Sequence, residues 1–206
     1  MSAVLKENRV SVEDYLAGEL ISETKHEYED GIVYAMSGTS RNHEKIIFNL
    51  ARKLGNHLEN APCDVYTSNI KVHVSKTKFY YPDVMVVCND ENSDVYYTEK
   101  PVLIVEVLSK STRRKDHTTK RFAYRQIETL QEYIVIEQDF VEVEVSHRSA
   151  NWQSQHYFLG DAVFFESLDL TVPVEEIYRR VDNEDMQEFL QAVEKQAQLS
   201  EISENN

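Results

Sequence analysis

Two short apolar runs each carry a single acid: Asp83 in Tyr81-Pro82-Asp83-Val84-Met85-Val86-Val87-Cys88, and Glu106 in Pro101-Val102-Leu103-Ile104-Val105-Glu106-Val107-Leu108. Asp83 lies six residues before the polar stretch 89–100 and Glu106 six residues after it, so antiparallel pairing across that stretch sets the two carboxylates opposite each other. The same register places Met85 beside Ile104 and Val87 beside Val102 on the acids' face, with Val84 against Val105 and Val86 against Leu103 on the other. A strand apolar on both faces is a buried strand, and two like charges facing each other there repel and lose their hydration. A divalent cation compensates both effects. Two carboxylates completed by water and phosphate oxygens suit Mg²⁺ or Mn²⁺ better than zinc, and hydrolysis of a phosphodiester is the reaction such a centre serves. The alternative is a pair of structural acids bonded to backbone amides at strand ends.

The segment after the second run supplies a third group. Asp116, Lys120 and Tyr124 follow at intervals of four, and Lys120 shares its helical stripe with Ala123 and Ile127, the side that packs on a sheet. A lysine there either snorkels to the surface or aims its ammonium at a reacting phosphate, where it stabilises developing negative charge. Asp116 and Tyr124 are then supports behind it, or groups on the helix surface. Two further positions are candidates: Glu27, at the start of a hairpin, as an extra carboxylate, where a solvent-facing acid is the competing reading, and His43, on the apolar stripe of its own helix, where a satisfied core histidine is the competing reading.

The formal charge of −14 over 206 residues argues against a protein that coats nucleic acid through its overall field. The distribution is uneven, however. Residues 110–125 hold seven basic side chains and one acid, Asp116, whereas 182–206 hold seven acids against Lys195 alone. Lys110, Arg113, Arg114, Lys115 and Arg121 are the candidate contacts for a polyanion, although a solvated helix face gives the same pattern. Cys63 and Cys88, both in strand-like apolar context, read as small buried side chains and not as a disulfide or a metal set. Neither end carries an apolar run long enough to span a membrane, and residues 1–16 lack the layout of a secretory signal, so a cytoplasmic protein is expected. Phosphate loops, dinucleotide fingerprints, His-Glu-x-x-His and Gly-x-Ser-x-Gly motifs are all missing from the chain.

The elements that must position these groups follow from periodicity and turn chemistry. A short helix over 11–20 is capped by Ser11, and 26–36 reads as a hairpin turning at Asp30-Gly31. Ile46, Ile47, Leu50, Leu54 and Leu58 recur at helical spacing within 41–59, after a Ser37-Gly38-Thr39-Ser40 turn and cap. Strands are predicted over 64–68, 70–74, 79–88 and 102–108, then a helix over 113–128, strands over 133–137 and 141–147, outer strands near 155–158 and 163–165, and a short helix over 174–180 opened by Pro173. One domain, 1–181, is expected, followed by an acidic, helix-prone tail over 182–206 that frays after about residue 199. The order of elements implies an α/β domain with a central mixed β-sheet flanked by helices.

Pro82-Asp83, the apolar strand carrying Glu106 and the basic helix resemble the PD-(D/E)xK nuclease superfamily, with its restriction endonuclease-like fold. The resemblance is closer to one branch, the Uma-two endonucleases. It is carried by residues 25–31, Met36-Ser37, His43 opening a long helix, Tyr81-Pro82-Asp83-Val84, and Val105-Glu106-Val107-Leu108-Ser109-Lys110-Ser111-Thr112-Arg113 with Asp116, Lys120 and Tyr124, and it covers about residues 10–180. Leu108 stands where the superfamily signature has lysine, and the resemblance implies that this lysine has moved to Lys120. It further implies an Mg²⁺- or Mn²⁺-dependent DNA endonuclease, with Asp83 and Glu106 holding the ion and Glu27 and His43 as accessory groups. A homodimer is expected, since such nucleases often pair to cut two strands. Two rivals stay open: a nuclease-like domain that binds nucleic acid or a protein without cutting, and a metal-dependent hydrolase of smaller phosphoesters.

Overall fold

The structure, a computed structural model, describes residues 9–90 and 94–204. Along the chain run α1 (Val12–Glu19), β1 (His26–Glu29), β2 (Ile32–Ala35), α2 (Arg41–His57), β3 (Cys63–Thr67), β4 (Lys71–Ser75), β5 (Lys78–Tyr80), β6 (Val84–Cys88), β7 (Tyr97–Thr98) and β8 (Pro101–Leu108). There follow α3 (Arg113–Lys115), a π-helical turn (Asp116–Lys120), α4 (Arg121–Tyr124), β9 (Glu132–Glu137), β10 (Val143–His147), β11 (Ser154–Tyr157), β12 (Ala162–Phe165), β13 (Leu170–Pro173), α5 (Val174–Ile177) and α6 (Glu184–Glu204). A six-stranded sheet, β11-β10-β9-β8-β6-β3, is mixed because β8 and β9 run parallel. A five-stranded sheet, β2-β1-β5-β4-β7, stands beside it, and β12 and β13 form a separate ribbon.

The expected register between the two acid-bearing runs is present. Val84 pairs with Val105, Met85 with Ile104 and Val86 with Leu103. The ladder slips one place further on, where Val87 meets Pro101 and not Val102, since a proline has no amide to donate and is tolerated at a strand's first residue. Alternation then sorts the side chains into two cores. Val84, Val86, Leu103 and Val105 pack under α2 through Ile46, Ile47, Leu50, Leu54 and Leu58, whereas Met85, Val87, Ile104 and Leu108 face Ala123, Tyr124, Ile127 and Tyr133. Each fully buried Leu or Ile contributes roughly 1.5–3 kcal/mol, so these two layers hold β6 and β8 rigidly in the middle. Ser40 caps α2 by accepting the His43 amide at 3.1 Å, as its position before the apolar stripe implies.

Several expectations need correction. The strand over 79–88 is two strands in different sheets, because Pro82 cannot continue a ladder; the corner is held instead by the Ser68 amide, 3.1 Å from the Pro82 carbonyl and 3.2 Å from that of Asp83. The helix over 113–128 is interrupted by the π turn and ends at Tyr124. Thr118 donates its hydroxyl to the Arg114 carbonyl at 2.6 Å, one of the local bonds that loosens the regular ladder there. Cys63 and Cys88 do form a disulfide, since β3 pairs with β6 and sets them opposite each other, Cα atoms 4.0 Å apart. The stretch 89–100 is not only a loop: Tyr97 and Thr98 add β7 to β4, while residues 91–93 lie outside the described residues. β13 was not anticipated, β10 begins at Val143, and α5 ends at Ile177. α6 extends through Glu204, and its start is tied to the core by buried Met186 and by the Asp185 carboxylate, which accepts the Val141 amide at 2.6 Å. Among the described residues no helix is long and apolar enough to cross a membrane.

Candidate active site

Asp83 and Glu106 open into one cleft of about 970 Å³. Its walls come from β1 and β2, the Ser37–Ser40 cap of α2, the loop after β8 and the π turn. Asp83 lies in the corner before β6, directly beyond the Val84–Val105 pair, and so stands next to Glu106 on β8. Its Oδ2 accepts the Val107 amide at 2.8 Å and lies 3.2 Å from His43 Nε2, which leaves Oδ1 outside both contacts. Burial alone would depress the His43 pKa, but the Asp83 carboxylate outweighs it and raises the value. The histidine is buried, yet it is aimed at the acid and not merely stored in the core.

Glu106 is buried, and its Oε1 accepts both the Tyr124 hydroxyl at 2.8 Å and the Lys120 ammonium at 3.0 Å. Oε2 takes part in neither bond. Lys120 is also buried; its Nζ lies 2.7 Å from Glu27 Oε1, 3.5 Å from Asp116 Oδ1 and 5.6 Å from the centre of the Tyr80 ring. The π turn makes this possible, since its wider winding turns both Asp116 and Lys120 inward while Arg114, Thr118 and Thr119 stay outside. Glu27 comes from β1 and is buried, and Lys115 holds its second oxygen at 2.7 Å.

The charges in this cluster do not balance. Burial works against ionisation of Glu27, but Lys120 and Lys115 hold its pKa below the usual value. Burial pulls the Lys120 ammonium down, and Glu106, Glu27 and Asp116 together push its pKa well above normal. With Glu27 matched by the two lysines, Glu106 and Asp116 are short of positive charge. Burial drives Glu106 well above the ordinary carboxylate range against the pull of Lys120, with Asp116, Asp83 and Glu27 adding to the rise. Burial raises Asp116 as well, and its Oδ1 is buried without a hydrogen bond. A proton taken up by either acid, or a cation bound beside them, would relieve this deficit. Among the described residues no three His, Cys, Asp or Glu side chains stand close enough to hold an ion by themselves. An ion here would therefore rest on Asp83 and Glu106 and fill its shell with water and phosphate oxygens, the coordination habit of Mg²⁺ and not of zinc.

The basic strip is placed less simply. Arg113 makes a bidentate pair with Glu137, Nε to Oε1 at 2.8 Å, and Arg121 is bonded to Glu144. With Lys115 on Glu27, three of the five expected nucleic-acid contacts are neutralised by the protein itself, and Lys110 and Arg114 are the exposed pair. The reason lies in β9 and β10, whose acids meet the strip only in the folded chain. Sequence reasoning also missed Tyr80 and Tyr34, both within cation–π distance of Lys115 at 5.2 and 4.8 Å; the alternation of β2 and β5 carried no sign of them.

Comparison with known proteins gives the chain a family and a fold. Residues 12–175 match the model of the Uma2 family, described as "Putative restriction endonuclease". Two Synechocystis relatives are "Uncharacterized protein slr1290", 36% identical over 83% of this chain and 92% of its own length, and "Uncharacterized protein sll1609", 32% identical over 70% and 84%. A crystal structure of a "putative nuclease belonging to DUF820" from Anabaena variabilis superposes with a TM-score of 0.69 at 13% identity, over 82% of this chain and 97% of that one. At that identity the likeness is one of fold.

Proposed function

Since the chain belongs to the Uma2 family, we propose that it is an Mg²⁺- or Mn²⁺-dependent DNA endonuclease whose centre is Asp83, Glu106 and Lys120. One observation carries the reading: an acid in the corner before β6 and an acid on the antiparallel strand β8 share a cleft, and a buried lysine from the following helical segment is bonded to the second. Leu108, at the position of the signature lysine, is wholly buried against Tyr124 and Tyr133, so the strand itself has no room for a cation there.

The residues divide the work by what each atom is free to do. The Val107 amide and His43 hold one oxygen of Asp83, and Tyr124 with Lys120 holds one oxygen of Glu106, which limits how far either carboxylate can turn within the cleft they both line. A divalent ion held there would polarise a phosphoryl oxygen and make water a better nucleophile. Lys120 is too strongly held in its protonated form to take a proton; it serves as a fixed positive charge beside the phosphate, aimed before the reaction starts. Glu27 and Lys115 keep that ammonium in place from behind.

Supercoiled plasmid incubated with Mn²⁺ tests this. Wild type nicks it, EDTA stops the nicking, and Asp83→Asn, nearly the same shape without the charge, loses activity by about 100-fold or more while keeping its melting temperature. Nicking that persists in Asp83→Asn rules out the assignment. Turnover of small phosphodiesters without DNA nicking would instead favour a phosphoesterase.

A further inference from the structure

We propose that the cleft accepts an unpaired strand of DNA in preference to an intact duplex, with Tyr34 as the platform on which a base stacks. The proposal builds on the nuclease reading and names its substrate class.

Tyr34 sits on β2 directly across from Glu27 on β1, so the hairpin register places its ring next to the catalytic cluster. Lys115 bonds to Glu27 at 2.7 Å and holds its ammonium 4.8 Å from the centre of the Tyr34 ring. The ring is thereby positioned by a cation that is itself anchored. Tyr34 remains 42% exposed and lines the cleft, so part of the side chain is open to solvent there. An exposed aromatic ring held beside a phosphodiester-cutting centre offers a base a stacking surface that works for any sequence.

The charge around it argues against a duplex. Seven carboxylates and four lysines line the cleft, and two of the four, Lys115 and Lys120, are bound to Glu27. Lys25, whose Nζ donates to the Ser68 carbonyl at 2.7 Å and to Asn69 at 3.1 Å, and Lys110 are the cleft lysines without a carboxylate partner among the described residues. Duplex DNA presents one phosphate charge about every 1.7 Å of its axis and needs a broad basic face, whereas this protein has turned Arg113 and Arg121 onto its own Glu137 and Glu144. A cavity of about 970 Å³ has the size of a small-ligand site and has room for a few nucleotides drawn out of a stack.

The test is a fluorescence titration of a 2-aminopurine oligodeoxynucleotide in Ca²⁺, as a single strand, as a duplex of the same sequence, and against the matching RNA strand, with cleavage followed separately in Mn²⁺. The single strand of DNA should bind at least about tenfold more tightly than the duplex, with the fluorescence change of an altered stack. Tyr34→Ala should weaken that binding by about 5- to 150-fold, Tyr34→Phe should restore it, and duplex binding should not change with either. In Mn²⁺, relaxed plasmid should be cut more slowly than supercoiled plasmid, which exposes unpaired stretches. Equal or tighter binding of the duplex, an unaffected Tyr34→Ala variant, a preference for RNA, or no binding of any strand would each overturn the proposal. Tight, Tyr34-dependent binding without cleavage would uphold it and remove the nuclease reading. Duplex cleavage indifferent to Tyr34 would do the reverse.

Discussion

Replacing Lys120 with methionine isolates the part of the site that the fold depends on. Methionine keeps most of the stem volume, so packing against Tyr80 is largely preserved and the change is one of charge. The ammonium is close to three carboxylates at 2.7, 3.0 and 3.5 Å, and the Lys120 side chain is only 6% exposed, so water cannot replace it. Removing one member of a buried ion cluster strands the others, at a cost of about 3–5 kcal/mol. For a chain of this size each kcal/mol moves the melting temperature by roughly 2–4 °C, so Lys120→Met should melt on the order of 10 °C lower at pH 7. The sign of the pH dependence follows. Without the lysine, the folded-state pKa values of Glu106 and Asp116 rise further above their unfolded values, so stability is greatest below the ordinary carboxylate range and falls as pH rises through the folded values. The deficit against wild type should therefore narrow on acidification. Thermal unfolding followed by circular dichroism from pH 4 to 8 reads both effects. A melting temperature within about 2 °C of wild type at pH 7 would refute the argument that this ammonium holds the acids together.

Two further outcomes follow from other parts of the molecule. Burial opposes ionisation of Glu144, but hydrogen bonds from Ser154 and Arg121 and the nearby His117 lower its pKa, so its contribution is present above the unfolded value and lost as pH falls through the folded one. Urea unfolding of Glu144→Gln should show a loss of about 1.5–3 kcal/mol at neutral pH that shrinks below roughly pH 4; a loss that does not vary with pH would contradict it. Gly31 turns the β1–β2 hairpin at φ +91°, where an added Cβ would come within 2.7 Å of the Arg9 Cβ. Gly31→Ala should destabilise by more than about 1 kcal/mol in the same assay, and a neutral result would count against the turn as described.

The local chemistry of β6 and β8 was legible because both are short and apolar on both faces, with one acid just before β6 and one within β8, which fixes the register from Val84–Val105 to Val86–Leu103. The cap at Ser40 and the stripe of α2 were legible for the same reason, a period and a terminus in one short window. What was not legible is long-range. Cys63 and Cys88 each look like a buried strand residue, and only the β3–β6 pairing, which no pattern in either strand announces, brings them together. Glu27 stands among Lys25, Glu29 and Asp30 in sequence and looks solvated; the pairing of β1 with β2 and β5 carries it inside to meet Lys115 and Lys120. The π turn also escaped periodicity, since a 3.6-residue repeat and a slightly wider one both put Asp116, Lys120 and Tyr124 on one side. Arg113 and Arg121 illustrate the limit of charge counting, because a basic run says nothing about the acids that the next strands will bring to it.

If Asp83 and Glu106 share a divalent cation, a crystal soaked in Mn²⁺ with data collected at the manganese edge shows it directly. An anomalous peak between the two carboxylates, absent from Asp83→Asn crystals treated the same way, is the predicted result. Well-ordered acids with no peak between them, at Mn²⁺ concentrations that label other surface sites, would contradict it.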